Sequence, residues 1–378
     1  MPDRRQRILV LGGYGHFGAR ICRRLARDSS IELVVAGRDW QRAEAFVDAL
    51  QRRIPAASLQ ASQIDIDAPD LKSMIASIAP AVVVHTAGPF QGQDYRVARA
   101  CLGCAAHYVD LADGRDFVVG FSTLDDEARD ENVLLVSGAS TLPGVSSAVV
   151  DHLQPHFRRI DGIAMSIAPA NQTPRGLGTV ASVASYCGRG FDWLEDGRWR
   201  RVHGWQQLTT HRYPGLGRRL LGACDVPDLA LFPRRYAVLE TVTFHAGLEL
   251  AWQQWGLWLM ACARRARLID DWSRHAAWLK RIGDRFGGRG SDRGAMHVHV
   301  RGEGLDGDAL ALTWYLTALA GTGPEIPCVP ATVLARKLAR GGFDARGARA
   351  CLGLVTLDEF DAEVKNRPIS WTIVDEKR

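Results

Sequence analysis

The chain has 378 residues, of which 47% are hydrophobic, 8% aromatic and 24% charged. These proportions are typical of globular proteins and exclude a disordered chain, a collagen-like repeat and a disulfide-stapled miniprotein. The net charge is +5, and 42 of the 47 basic residues are arginines spread along the sequence. Such an excess is weak evidence for nucleic-acid binding, so we expect no nucleic-acid partner.

The N-terminal sequence MPDRRQRILVLGG has no apolar run of signal-peptide length before the first glycines, which predicts a cytoplasmic protein. In that compartment the eight cysteines are expected to be free thiols. Cys101 and Cys104 form a lone CxxC, and His297 and His299 alternate along a predicted strand. Neither pair has further ligands at a suitable spacing, so the sequence predicts no metal site.

The first 140 residues alternate between short apolar runs and amphipathic stretches. Strands are predicted at 7–11, 32–37, about 59–66, 81–88, 107–112 and 133–139. Helices are predicted at 17–27, 39–53, 69–78, 93–105 and 121–132. Alternating strands and helices predict an α/β fold, a doubly wound parallel sheet of the Rossmann type covered on both faces.

A glycine-rich turn follows the first predicted strand. Gly13, Gly15 and Gly18 match the GxGxxG spacing, and His16 and Phe17 lie between the last two glycines. Because the turn lies between a strand and a helix, these five residues are predicted to bind the pyrophosphate of a dinucleotide. Free N–H groups at the start of the helix would face that anion.

The end of the second strand predicts which dinucleotide binds. The strand ends in Gly37 and Arg38, and Arg42 follows one helical turn later, whereas an NAD enzyme usually carries an acidic residue here. We therefore predict NADP, with Arg38 on the 2′-phosphate. Asp39 either binds the ribose or, as we favour, caps the next helix. Asp65, after the third strand, is a candidate for the adenine amino group or an ordinary turn carboxylate.

Six segments together resemble one protein family. They are GGYGHFG, VVAGRD, VVHTAGPF, YRVARACLGCAAHYVDLADG, PCVPATVLARKLARGG and CLGLVTLDEF. This set is similar to the saccharopine dehydrogenase-like oxidoreductases. The resemblance implies a Rossmann domain, a mixed α/β domain after it, and a C-terminal stretch that returns to the first domain. It also implies that Thr86, Ala87, Gly88, Pro89 and Phe90 follow the nicotinamide end of the cofactor.

We accordingly expect a Rossmann NADP-binding domain at 1–144, a substrate and dimerisation domain at 145–324, and a returning segment at 325–378. Ten of the eleven tryptophans follow residue 190, which suits a partly apolar small-molecule substrate better than the multiply charged saccharopine. No tyrosine is followed four residues later by lysine, which disfavours a short-chain dehydrogenase.

Hydride transfer also needs a proton donor or acceptor near the reacting carbon. The candidates are Tyr95, which begins a helix after the Pro89–Phe90 turn, Asp113 at a strand end, and His203. Candidate substrate-binding residues are Phe90, Asn171, Arg175 and Trp205. Each of these has a purely structural alternative, namely a packed aromatic residue, a turn or a structural histidine.

Residues 246–268 form the most apolar stretch, with Trp252, Trp255 and Trp258 at spacings of three. Polar interruptions argue against a membrane-spanning helix, and we favour a buried or homodimer-interface helix over one that contacts a membrane surface. The sequence thus predicts an NADP(H)-dependent oxidoreductase acting on a C=N, C=O or C=C bond. The alternatives are a membrane-surface-associated enoyl or lipid reductase and a non-enzymatic NADP sensor.

Overall fold

The computed structural model describes residues 5–238 and 240–376 of the chain. Its strands are β1 (Gln6–Leu11), β2 (Ile31–Gly37), β3 (Ser58–Gln63), β4 (Val82–His85), β5 (His107–Asp110), β6 (Leu134–Ser137), β7 (Phe157–Ala168), β8 (Gly190–Glu195), β9 (Arg198–His203), β10 (Thr209–Tyr213), β11 (Gly217–Ala223), β12 (Thr241–Ala246), β13 (Gly294–Gly304), β14 (Ala309–Ala318), β15 (Gly347–Ala350) and β16 (Ile369–Asp375).

The α-helices are α1 (Gly18–Leu25), α2 (Trp40–Arg53), α3 (Leu71–Ile78), α4 (Arg96–Leu102), α5 (Arg115–Gly120), α6 (Asp125–Asp130), α7 (Ser146–Leu153), α8 (Leu177–Tyr186), α9 (Asp228–Arg235), α10 (Ala251–Arg265), α11 (Ala276–Arg285), α12 (Cys328–Ala339) and α13 (Leu357–Val364). The helix predicted at 121–132 differs, because α5 and a 3₁₀ turn at Phe121–Leu124 precede α6. Beyond β12, α10 is followed by a 3₁₀ turn at Trp272–His275 and by α11.

Two compact units divide the chain differently from the three predicted segments. One unit contains residues 1–145 and 325–355, and the other contains 146–324 and 356–378. The C-terminal segment expected to return as one piece, 325–378, is therefore split between the units. The physical reason is strand pairing: β16 pairs antiparallel with β14 over seven residue pairs, which places the last strand in the second unit's sheet.

The first unit is built on a seven-stranded parallel sheet in the order β15-β6-β5-β4-β1-β2-β3. Its central strands are apolar and buried on both faces, as parallel strands covered by helices require; Ile8, Leu9 and Val10 have no exposed surface. This sheet confirms the predicted Rossmann-type architecture.

The returning part of the first unit adds the edge strand β15 beside β6 and the helix α12, ten of whose residues are buried. Glu325 precedes this helix and forms ion pairs with Arg24 at 3.0 Å and Arg20 at 3.3 Å. Arg24 is 3% exposed, so its charge lies within the fold and has a carboxylate partner there. The returning segment is thus an integral part of the first unit.

The second unit contains a nine-stranded mixed sheet with the path β10-β11-β12-β7-β13-β14-β16, on which β8 pairs with β12 and β9. β12 and β7 are parallel, whereas β13 pairs antiparallel with both β7 and β14. A second, mixed α/β unit was expected, and this sheet confirms it.

Candidate functional site

The turn after β1 leaves no room for side chains at its glycines. A Cβ atom on Gly18 would lie 2.2 Å from the carbonyl oxygen of Gly12, and one on Gly13 would lie 2.8 Å from a Val35 methyl carbon. Gly12 has a φ of +75°, a conformation that favours glycine. Thr86 Oγ1 donates to the Leu11 carbonyl at 2.8 Å and fixes the loop after β4 beside the turn. Helix α1 therefore starts directly against the end of β1.

Backbone donors face outward from this turn. Within the described part of the chain, the N–H groups of Tyr14, His16 and Phe17 have no backbone acceptor, whereas that of Gly15 bonds to Gly12. These N–H groups precede the first turn of α1, where the helix dipole favours an anion. Burial, with a smaller effect of Arg20, lowers the pKa of His16 to about 4, so its imidazole is neutral near pH 7. The turn fits the pyrophosphate of a dinucleotide.

The end of β2 holds two arginines beside a tyrosine. The Tyr14 ring covers Gly37, where a Cβ would lie 2.5 Å from the ring, and its hydroxyl accepts a hydrogen bond from the Asp39 N–H at 3.0 Å. The Arg42 guanidinium lies over this ring at 4.8 Å. The Asp39 side chain accepts the Arg42 N–H at 3.1 Å, which confirms that Asp39 caps α2. Arg38 is exposed, and its carbonyl accepts from Gln63 Nε2.

Asp65 lies two residues beyond β3, and its carboxylate accepts the Asp67 N–H at 3.1 Å. This is the turn role weighed against adenine binding. The carboxylate already stabilises its own loop, and its role toward adenine stays a prediction.

The loop after β4 contains Ala87, Gly88 and Pro89, with the Gly88–Pro89 peptide in the cis form. Gln93 Nε2 donates to the Ala87 carbonyl at 2.9 Å and to the Pro89 carbonyl at 2.7 Å. One side chain thus holds the loop that the resemblance assigns to the nicotinamide end of the cofactor.

Phe90 packs against other aromatic rings, and its role at the substrate stays a prediction. It is 5% exposed, and its ring centroid lies 5.0 Å from that of His85 and 5.5 Å from that of Phe117. Because these neighbours are themselves packed in the first unit, Phe90 belongs to the aromatic core under the loop.

The two candidate acids of the first unit are already engaged. The Tyr95 hydroxyl donates to the Phe117 carbonyl at 2.9 Å, and its ring packs edge-on against Phe117 and Phe121. Burial, and then the charge of Asp110, raise the pKa of Tyr95. Asp113 accepts from Gln91 Nε2 at 2.8 Å. Proton transfer by Tyr95 would require its hydroxyl to leave the Phe117 carbonyl.

A buried carboxylate joins the ends of neighbouring strands. Asp110 Oδ1 accepts the N–H groups of Ala112 and Gly138 and the hydroxyl of Ser137, while Oδ2 accepts the Tyr108 hydroxyl at 3.0 Å. Tyr108 in turn bonds to His85 Nδ1 at 3.0 Å. Burial raises the pKa of Asp110 to about 6. This network fixes the carboxyl ends of β4, β5 and β6, the edge where open α/β sheets bind ligands.

The candidate residues of the second unit differ in their burial and in their hydrogen bonds within the fold. Asn171 is 4% exposed, and its Nδ2 donates to the carbonyls of Phe286 and Arg289 at 2.9 and 3.0 Å. It thereby holds the glycine-rich loop at 287–291. Trp205 is 3% exposed, and its Nε1 donates to the Val183 carbonyl. The structure gives both residues a role within the fold, and their role at the substrate stays a prediction.

Arg175 and His203 are less buried than Asn171 and Trp205. Arg175 has a long contact of 3.4 Å to the Ala170 carbonyl, and burial lowers its pKa. His203 is half-buried at the end of β9, and its pKa is lowered by burial first and then by Arg265 and Arg201. Its imidazole is therefore neutral near pH 7 and able to accept a proton.

A cluster of polar side chains on the second sheet was not predicted from the sequence. Ser166 on β7 bonds to both the Tyr213 hydroxyl and His297 Nδ1. The ring of His211 stacks on that of His297 with centroids 3.9 Å apart. Burial is the main cause that lowers the pKa of both histidines, so both are neutral near pH 7. The alternation of His297 and His299 was visible in the sequence, but the register Ser166↔His297 was not.

This cluster is a hydrogen-bonding network. Within the ranges 5–238 and 240–376, no group of three or more His, Cys, Asp or Glu residues has a geometry that could hold a metal ion. All eight cysteines are free thiols.

The comparisons with known proteins can now be placed beside this geometry. Residues 8–142 match the family described as saccharopine dehydrogenase NADP binding domain. The matched range contains the glycine turn, both arginines at β2 and the loop after β4, so the resemblance of these motifs to the family is confirmed.

One solved structure has a similar fold over nearly the whole chain. The apo saccharopine dehydrogenase (L-Glu forming) of Saccharomyces cerevisiae matches with a TM-score of 0.68 at 16% identity, covering 98% of this chain and all of that one. At this identity the likeness shows the fold alone. An amine dehydrogenase of Mycobacterium smegmatis matches with a TM-score of 0.48 at 10% identity, covering 92% of this chain and 95% of that one. No curated protein matches the sequence.

The match of residues 8–142 to an NADP binding domain agrees with the predicted cofactor class. In the part of the chain that the structure describes, no helix is both long and apolar enough to cross a bilayer.

The buried histidine of the NADP-binding domain predicts a pH dependence of stability. His85 is 1% exposed, and burial lowers its pKa from 6.5 to about 4. The folded state therefore holds neutral His85, whose contribution to stability is full above pH 6.5 and is lost as the pH falls toward 4. We expect a loss on the order of 3 kcal/mol over this range.

The measurement is urea unfolding between pH 7 and 4. His85→Gln removes the titrating group and should make the loss of unfolding free energy over this range smaller. His156→Gln, at an exposed histidine, is the control and should leave the pH dependence as it is in the unmodified chain. An unchanged pH dependence in His85→Gln would contradict the assignment.

Proposed function

We propose that this chain is an NADP(H)-dependent oxidoreductase that transfers a hydride to or from the C=N bond, or a C=O or C=C bond, of a partly apolar small molecule. The observation that carries the proposal is the end of β2, where Asp39 is engaged as the cap of α2 and leaves Arg38 and Arg42 as the charged groups for a 2′-phosphate. The family match over residues 8–142 supports the same cofactor.

Each part of the first unit has a defined task in this proposal. The turn from Gly13 to Gly18 holds the pyrophosphate with backbone N–H groups. The loop of Ala87, Gly88 and Pro89, held by Gln93, lies along the nicotinamide end. When bound, the nicotinamide supplies or accepts the hydride, and the chain contributes binding, orientation and proton transfer.

Of the three predicted proton-transfer residues, we favour His203. The Tyr95 hydroxyl donates a hydrogen bond to the Phe117 carbonyl, and Asp113 accepts one from Gln91 Nε2. His203 is neutral near pH 7, so it is able to accept a proton when a substrate is oxidised and to return it when a substrate is reduced.

The proposal includes a small-molecule substrate, a homodimer and a cytoplasmic location.

The second candidate function, a non-enzymatic NADP sensor, is favoured by the engagement of Tyr95, Asn171 and Trp205 within the fold. Steady NADPH oxidation with any member of a panel of imines, ketones and enoyl compounds would eliminate the sensor.

Arg38→Ala tests the cofactor assignment. Loss of a charge-assisted contact to the 2′-phosphate is expected to weaken NADPH binding by about 10- to 100-fold and to leave NADH binding nearly unchanged. Isothermal titration with both cofactors measures this. Arg53→Ala, at an exposed arginine at the other end of α2, is the matched control. Equal NADPH affinity in Arg38→Ala and Arg53→Ala would make the NADP assignment wrong.

A further inference from the structure

Helix α10 exposes two of its three tryptophans, Trp252 and Trp255, and buries Gln254. Its buried residues are Gln254, Leu257 and Ala261, at the spacing of one helical face. On the opposite side Trp252, Trp255 and Leu259 are 48%, 49% and 62% exposed. A helix packed on its own domain normally buries its apolar side. The helix was predicted to be buried or to lie at a homodimer interface, and this face is exposed in the described chain.

The exposed apolar residues extend beyond α10 within residues 251–290, here called the helical segment. Leu268 is 75% exposed and Trp278 on α11 is 56% exposed. Trp252 lies edge-on to Phe286 with ring centroids 4.8 Å apart, and the Arg289 guanidinium lies 5.4 Å from the Phe286 ring. The apolar side of α10 thus adjoins basic side chains.

The helical segment also holds the whole charge excess of the chain. It contains eight Arg and Lys residues and three Asp residues, an excess of five, whereas the rest of the chain has 39 basic and 39 acidic residues. Six of its arginines are exposed: Arg265, Arg267, Arg274, Arg281, Arg285 and Arg289. Among the described ion pairs, none within 4 Å joins any of these six to a carboxylate; Lys280 alone of the segment's cations has such a partner, Asp284.

A recess opens beside these residues. The cavity is about 440 Å³ and is lined by Gln206, Gln207, Leu208, Trp255, Trp258, Cys262 and Arg265. It brings two indole rings and a guanidinium together, a combination that suits the polar headgroup and adjoining apolar part of a lipid.

We propose that the helical segment docks on the surface of an anionic lipid bilayer. Trp252, Trp255 and Leu259 insert at the level of the headgroups, where indole rings are favoured, and the exposed arginines contact lipid phosphates. A second copy of the chain fits less well, because a symmetric contact through this face would oppose two surfaces of like charge. Nucleic acid would use the arginines but not the exposed Leu259 and Leu268.

The experiment is flotation of the full chain with vesicles of phosphatidylcholine, alone or with about 30 mol% phosphatidylglycerol, at low ionic strength. We expect binding to the anionic vesicles that weakens as salt rises. Trp252→Ser with Trp255→Ser should weaken it by at least roughly tenfold. Trp199→Ser removes an exposed tryptophan of β9 and is the matched control, expected to bind as the unmodified chain does.

A second pair of variants tests the charge. Arg281→Gln with Arg285→Gln should weaken binding by roughly fivefold for each arginine removed. Arg52→Gln with Arg53→Gln, exposed at the end of α2, is the control and should have no such effect. NADPH affinity should be unchanged in all four of these variants, because cofactor binding does not depend on this proposal.

Three results would overturn the proposal: no flotation with anionic vesicles at low salt, equal loss of flotation in the tryptophan variants and the Trp199→Ser control, or binding of a duplex DNA without binding of vesicles. A dimer that the Trp252→Ser, Trp255→Ser variant dissociates, with flotation unchanged, would assign the face to a second copy instead.

Discussion

Gly18→Ala is expected to weaken NADPH binding by at least roughly 100-fold and to lower the free energy of unfolding by about 1–3 kcal/mol. The added Cβ would lie 2.2 Å from the Gly12 carbonyl oxygen and 2.7 Å from Thr86 Oγ1. The first of these atoms is backbone, so relief requires α1 to move away from β1. That movement displaces the N–H groups that the proposed pyrophosphate contact needs.

Titration with NADPH and urea unfolding measure the two effects. Gly114→Ala is the matched control in the same unit, because the nearest atom to its added Cβ is 3.8 Å away and its φ is negative. If Gly18→Ala binds NADPH as tightly as Gly114→Ala does, the turn is required for packing alone, and the proposed cofactor site is wrong.

Asp110→Ala is expected to lower the free energy of unfolding by on the order of 3–5 kcal/mol. The variant leaves buried donors on Ala112, Gly138, Ser137 and Tyr108 without their acceptor, and each buried unsatisfied group costs about 1–3 kcal/mol before the site relaxes. Asp110 has no exposed surface, so water has little access to replace the lost carboxylate. Urea unfolding at pH 7 gives the difference directly.

Asp110→Asn separates the hydrogen bonds from the charge. The asparagine oxygen can accept the three bonds made by Oδ1, so this variant should lose much less stability than Asp110→Ala. The raised pKa of Asp110, from 3.8 to about 6, also gives the unmodified chain a contribution to stability that is present below pH 3.8 and lost as the pH rises through 6. Asp110→Asn should lack that loss. Equal destabilisation by Ala and Asn would contradict the role of the Oδ1 acceptor.

The first sheet was accessible from the sequence because its signals are local. A buried strand followed by GxGxxG and an amphipathic helix predicts one arrangement of turn and helix, and the structure has it around Gly13 and Gly18. The role of Asp39 was also predictable from the local sequence. A helix-capping side chain accepts the N–H of the residue three positions later, as Asp39 does with Arg42. The family match over residues 8–142 agrees with this local pattern.

The second unit was harder to predict because its contacts join distant parts of the chain. Ser166 meets His297 across 131 residues, and Asn171 meets the carbonyl of Arg289 across 118. Strand register decides these meetings, and no short pattern in the sequence encodes it. The same holds for Phe90 and Trp205, whose burial depends on what packs over them. The exposure of the apolar side of α10 could not be predicted, because an apolar stripe has the same spacing whether or not protein covers it.

The discontinuous first unit has a consequence for how the chain folds during synthesis. Its sheet lacks β15 and its core lacks α12 until the ribosome has passed residue 350, some 200 residues after β6 has emerged. Until then the β6 edge is unpaired and open to mispairing with other chains. The first unit is therefore completed late in synthesis, although most of its residues are made first.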